Sequence, residues 1–199
     1  MRIIGITGGV GAGKSAVLNY LEERYGAVVV QADHVGHLVM EPGESCYEPV
    51  LELFGNEMKN PDGRLNRKAI GQTVFGDDTL LRKLNAIIHP AVKTYIRGRI
   101  ADEKEKGTAF FIIEAALLIE DDYGAICDEM WYIYTSEPAR RQRLKESRGY
   151  TDEYISRIMG EQSSDEMFRR ACDWVLDNSF SFENTRKQID KRMQQYESM

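Results

Sequence analysis

Thr7-Gly8-Gly9-Val10-Gly11-Ala12-Gly13-Lys14-Ser15 decides the fold of this chain. It fits the phosphate-binding pattern G-x-x-x-x-G-K-[ST], with Gly8, Gly13, Lys14 and Ser15 in the fixed places. Its flanks agree. Arg2-Ile3-Ile4-Gly5-Ile6-Thr7 is apolar and β-branched, which reads as a buried strand. Val17, Leu18 and Leu21 then recur at helical spacing, so a helix opens at Lys14. Glycines let backbone N–H groups approach phosphate oxygens with no Cβ in the way. The helix start adds unpaired N–H groups and a positive dipole end. A glycine-rich turn without chemistry does not explain why residue types and flanking elements match together. The rival dinucleotide pattern G-x-G-x-x-G fails, because Lys14 stands where its third glycine belongs.

Working outward, 199 residues suffice for one α/β domain with a lobe or lid. A hydrophobic share of 42% supports a full core and argues against disorder. Lys+Arg is 26 and Asp+Glu is 32, so the net charge is −6, which argues against a general nucleic-acid binder. Cys46, Cys127 and Cys172 are too far apart for zinc or CxxC spacing and read as free thiols in a reducing compartment. The first apolar stretch is short and glycine-broken, unlike a secretory leader, and no run reaches membrane-spanning length. The expectation is a cytoplasmic protein.

Ala27–Val30 reads as a second strand, followed by a helix from Asp33 to Met40. Turns follow at Glu41–Ser45 and Asn60–Gly63, with a helix from Cys46 to Phe54 between them. Residues 66 to 75 and 77 to about 106 are helical in pattern, with Pro90 expected to start a new helix. Ala109–Ile113, Met130–Tyr134 and Trp174–Leu176 read as strands three to five. A helix capped by Ser136 with Pro138 in its first turn, another begun by Thr151, and a last one from Phe182 to Tyr196 complete the series. Strands alternating with helices give a parallel sheet covered on both faces, whose ligands bind at the carboxyl ends of the strands. That rule brings Gly8–Ser15, Asp33, Glu114 and Asp177 to one edge.

At that edge Lys14 suits the β- and γ-phosphates, and the Ser15 hydroxyl suits Mg²⁺. Asp33 reads equally as a functional carboxylate, a base for an acceptor hydroxyl or the holder of a metal-bound water, or as a helix N-cap. Glu114 reads as a strand-end acid that orients Mg²⁺ through water, or as an exposed acid without a role. Arg140, Arg141, Arg143 and Arg148 suit a lid over a transferring phosphoryl group, or a solvated charged face. His89, just before Pro90, reads first as a structural residue.

The phosphate loop, Ala32-Asp33, Leu84-Asn85…His89-Pro90, Leu117-Leu118-Ile119-Glu120, Arg157-Ile158…Gln162 and Val175–Asn178 together resemble the dephospho-coenzyme A kinase family. The resemblance runs from Ile3 to Asn178 in the family's order. It implies an α/β P-loop kinase fold with a five-stranded parallel sheet in a single domain over residues 1–199. A helical acceptor-binding insertion would span about 33–106 and a lid about 140–172. It implies ATP-dependent phosphorylation of the ribose 3′-hydroxyl of dephospho-CoA, with Mg²⁺ held by Ser15 and Glu114. By position, Gly8, Gly9, Val10, Gly11, Ala12, Gly13, Lys14, Ser15 and Ala16 bind ATP, with Asp177 and Asn178 near its base. Lys14 and Asp33 would be catalytic, with Arg140 or Arg143 facing the phosphates. Asp33, His89, Leu117, Glu120 and Arg157 would bind the acceptor.

The chain departs from the family's pattern at Gln31, Ala116, Ser147 and Ser179, where an acid, a proline, an arginine and a glycine are usual. Two rivals remain: another small-molecule P-loop kinase, such as a nucleoside monophosphate kinase, and a nucleotide-dependent switch or binding module, for instance of GTPase type. A GTPase switch would need an Asn-Lys-x-Asp segment, which this sequence lacks.

Overall fold

A computed structural model describes residues 1–197. The chain divides into two compact units, Met1–Val29 with Gly107–Met199, and Val30–Lys106. Five strands, β1 (Arg2–Thr7), β2 (Val28–Gln31), β3 (Phe110–Glu114), β4 (Glu129–Tyr134) and β5 (Trp174–Asp177), form one parallel sheet in the order β2-β3-β1-β4-β5. Ile6 is aligned with Glu114 on one side of β1, and with Trp131 on the other. β3, not β2, is therefore the neighbour of β1, so adjacency along the chain is not adjacency in the sheet.

The first unit is built on the two faces of that sheet. Ile4, Ile6, Ile112, Trp131, Ile133 and Leu176 pack against Val17, Leu18 and Leu21 of α1 (Lys14–Tyr25) and Ile189 and Met193 of α9 (Phe182–Glu197). Burial of each such aliphatic side chain contributes about 1.5–3 kcal/mol. On the opposite face Tyr132 stacks on Phe168 of α8 (Asp165–Ala171), with ring centroids 4.7 Å apart. α8 is a short helix that the sequence pattern left unread. α6 (Glu137–Arg148) and α7 (Asp152–Gly160) precede it. Ser136 is the N-cap residue of α6 as expected, although its side chain makes no capping hydrogen bond.

One buried acid fastens α9 to the sheet. Glu129, 4% exposed, accepts from Arg192 Nε at 2.9 Å, Trp131 Nε1 at 3.1 Å and Arg2 at 3.3 Å, and from the Tyr196 hydroxyl. Burial alone would raise the Glu129 carboxyl, but the hydrogen bonds from Tyr196 and Arg192 outweigh it and hold the group below the usual range.

The second unit is helical: α2 (Ala32–Leu38), α3 (Tyr47–Phe54), α4 (Arg67–Val74) and α5 (Asp78–Glu105). Asn66 caps α4 through Ala69 N at 3.0 Å, and Asp77 caps α5 through Leu80 N at 2.9 Å. Pro90 does not begin a helix. It lies inside α5, which runs on past it. Proline forfeits one hydrogen bond to the preceding turn. The buried stripe Leu84, Val92, Ile96 and Ile100 holds the helix together across that loss.

Candidate active site

Gly13 ends the phosphate loop in a left-handed conformation, φ 85°, and is the residue from which α1 springs. A Cβ there would lie 2.5 Å from Asn178 Nδ2, so both backbone and space demand glycine. The Lys14 ammonium folds back over the loop. It donates to the Gly8 carbonyl at 2.7 Å and lies 3.5 Å from Glu114 Oε1. Glu114 is only 7% exposed, which rules out the reading of a solvated strand-end acid. Ser15, in the first turn of α1, is exposed.

Two arginines of α6 grip the loop. Arg140 Nε donates to the Val10 carbonyl at 2.9 Å, and its NH2 donates to Gln162 Oε1 at 2.7 Å. Burial presses the Arg140 pKa down, yet an arginine stays charged at neutral pH. Arg143 donates to the Asn178 carbonyl at 2.7 Å and toward the Ala12 carbonyl at 3.4 Å. These side chains are engaged with the loop rather than spread on a solvated face. Arg141 instead pairs with Glu137 at 2.8 Å on the exposed side.

The Ala12 carbonyl is a further anchor. It accepts from Asn178 Nδ2 at 2.8 Å and Thr135 Oγ1 at 2.9 Å, both buried residues. Thr185 Oγ1 donates to Asn178 Oδ1 at 2.7 Å and so fixes which way the amide points. Asp177 turns to the chain that follows, accepting from Ser179 N at 2.9 Å.

The acceptor candidates fall in both units. In the first, Leu117 is 47% exposed, Glu120 accepts from Ser163 Oγ at 2.7 Å, and Arg157 lies over the Tyr154 ring at 5.0 Å. In the second, Asp33 is the second residue of α2, and the N-cap is Gln31. Asp33 is therefore no helix cap, and the capping alternative falls. It is exposed in the first turn, where a helix start favours a carboxylate. His89 is half-buried within α5. The structure thus gathers Gly8–Ser15, Glu114, Arg140, Arg143 and Asn178 in one place. It adds Thr135, Gln162 and Thr185, to which the sequence reading gave no role. Only the Arg157…Gln162 segment carried a signal for any of these three.

The family model for dephospho-CoA kinase matches residues 2–184. The chain belongs to that family. It is 35% identical to the dephospho-CoA kinase of Carboxydothermus hydrogenoformans over 95% of this chain and 91% of that one. It is 36% identical to that of Symbiobacterium thermophilum over 96% and 79%. Among solved structures, dephospho-CoA kinase from Campylobacter jejuni superimposes with a TM-score of 0.73 at 20% identity, covering 98% of both chains. Shikimate kinase from Acinetobacter baumannii superimposes with a TM-score of 0.54 at 15% identity over 100% of this chain and 94% of that one. At those identities the two likenesses show the fold alone, and it is that of the P-loop kinases. The family makes this chain a kinase. Among the described residues, no helix is long and apolar enough to cross a membrane.

Proposed function

We propose that the chain transfers the γ-phosphoryl group of ATP to the ribose 3′-hydroxyl of dephospho-CoA, giving CoA and ADP. The observation that carries this reading is Lys14, Glu114, Arg140 and Arg143 converging on one phosphate loop in a member of the dephospho-CoA kinase family. Phosphoryl-transfer transition states are loose, so positioning and charge neutralisation supply most of the catalysis. Lys14 leaves the Gly8 carbonyl for the β- and γ-phosphates, and Arg140 and Arg143 neutralise the charge that develops. The acceptor oxygen attacks the γ-phosphorus, the bond to the ADP oxygen breaks, and the hydroxyl proton passes to Asp33. Asp177 supports the nucleoside end and Asn178 holds the phosphate loop through the Ala12 carbonyl, while His89, Leu117, Glu120 and Arg157 hold the acceptor.

A divalent cation suits this donor set. Among the described residues, no group of three or more His, Cys, Asp or Glu side chains could hold a metal unaided. Mg²⁺ needs only one or two protein ligands beside the substrate phosphates. Ser15 and Glu114 would supply them, and the cation would add charge neutralisation at the phosphates. The three free cysteines support work in the reducing cytoplasm.

The test is ADP release with dephospho-CoA, AMP, CMP, shikimate, pantothenate or no acceptor. We expect turnover with dephospho-CoA, and turnover on AMP or CMP instead would refute the acceptor assignment. Asp33→Asn should leave ATP binding intact and lower kcat by about 10²–10⁴, the range for a lost general base. An undiminished kcat would remove Asp33 from the mechanism.

A further inference from the structure

Gln162 follows α7, and its single Oε1 accepts from two donors: Val10 N–H at 3.2 Å and Arg140 NH2 at 2.7 Å. Arg140 Nε closes the ring onto the Val10 carbonyl at 2.9 Å. Gly9 forms the floor. A Cβ there would lie 2.5 Å from Arg140 NH2 and 2.8 Å from Gln162 Oε1, so the guanidinium rests directly on the phosphate loop. We propose that Gln162 is a positioning residue for phosphoryl transfer: it locks the Arg140 guanidinium onto the phosphate loop, aimed at the transferring group. The inference rests on the role given to Arg140 above.

The chemistry favours this arrangement. A guanidinium carries five N–H donors in a rigid fork. Gln162 and the Val10 carbonyl engage Nε and NH2, which leaves NH1 for phosphate oxygens. An arginine free to rotate would lose its rotamer freedom on capturing a phosphate, whereas Arg140 is already fixed. Donors preorganised in this way stabilise developing charge without reorganising during the reaction. An amide also suits better than a carboxylate. It accepts both hydrogen bonds yet neither neutralises Arg140 nor repels the γ-phosphate.

Gln162→Met keeps length and removes the strong acceptor. Gln162→Met, Arg140→Ala and the double variant are compared by steady-state kinetics, with thermal melts as the folding control. We expect Gln162→Met to lower kcat by about 10- to 100-fold, the scale of one hydrogen bond to a charged group. The KM for dephospho-CoA should not change, and the double variant should be no worse than Arg140→Ala alone. Gln162→Glu should retain the hydrogen bonds but raise the KM for ATP. A wild-type kcat in Gln162→Met, or fully additive losses in the double variant, overturns the positioning role. Should Gln162→Met melt early, Gln162→Glu decides, and an unchanged ATP KM overturns the proposal. Arg140→Ala turning over like wild type would instead overturn the assignment of Arg140 itself, and this inference with it.

Discussion

Replacing Asn178 with alanine separates a residue that holds the phosphate loop from one that touches nucleotide. Asn178 is 3% exposed, and its amide spans two buried partners, Ala12 O at 2.8 Å and Thr185 Oγ1 at 2.7 Å. After the change the Ala12 carbonyl keeps Thr135 at 2.9 Å and Arg143 at 3.4 Å, so its loss is partial. Thr185, 0% exposed, loses the acceptor for its hydroxyl. A buried polar group left unsatisfied costs about 1–3 kcal/mol, and one net hydrogen bond about 1 kcal/mol, so the change costs about 2–4 kcal/mol. For a chain of this size that lowers Tm by about 4–16 °C. Thermal melts and ATP kinetics are measured together. Adding Thr185→Val removes the orphaned hydroxyl and should recover about 1 kcal/mol. The KM for ATP should rise several-fold as the loop loosens. An unchanged Tm with a raised KM would refute the loop-holding account and leave a direct nucleotide contact.

Lys14→Ala should cut turnover by about 10²–10³, as expected for deleting one preorganised charge at a phosphoryl transition state, and a wild-type kcat would refute the loop assignment. Glu129 has a folded pKa below its unfolded value, so its stabilisation is present above the ordinary glutamate pKa of about 4.3 and is lost as pH falls through the folded value. Melts from pH 8 to pH 3 should therefore show Glu129→Gln less stable than wild type near neutrality and converging with it in acid, whereas parallel curves would contradict the clamp.

What the sequence determined by itself was local. The phosphate loop, strands β1 to β5 and most helices were legible because apolar periodicity and turn residues act over a few positions. Lys14 and Ser15 needed only the motif, and the family resemblance added the acceptor candidates. The tertiary structure decided what depends on contacts between distant segments. Asn178 and Ala12 are 166 residues apart, and Arg140 and Val10 are 130 apart. No periodicity records such pairs, which exist only once the sheet sets the strand ends side by side. The same holds for β3 standing between β1 and β2, since strand order follows the crossovers and not the strands' own residues. Pro90 argued for a break in α5, and the buried stripe along that helix overrode it. Asp33 and Glu114 each had two readings that sequence weighed without resolving. Helix α2 starting at Ala32 removed the cap from Asp33, and the fold of the loop brought Lys14 to Glu114. Both outcomes turn on where a backbone element begins or ends in space, which residue type alone does not specify.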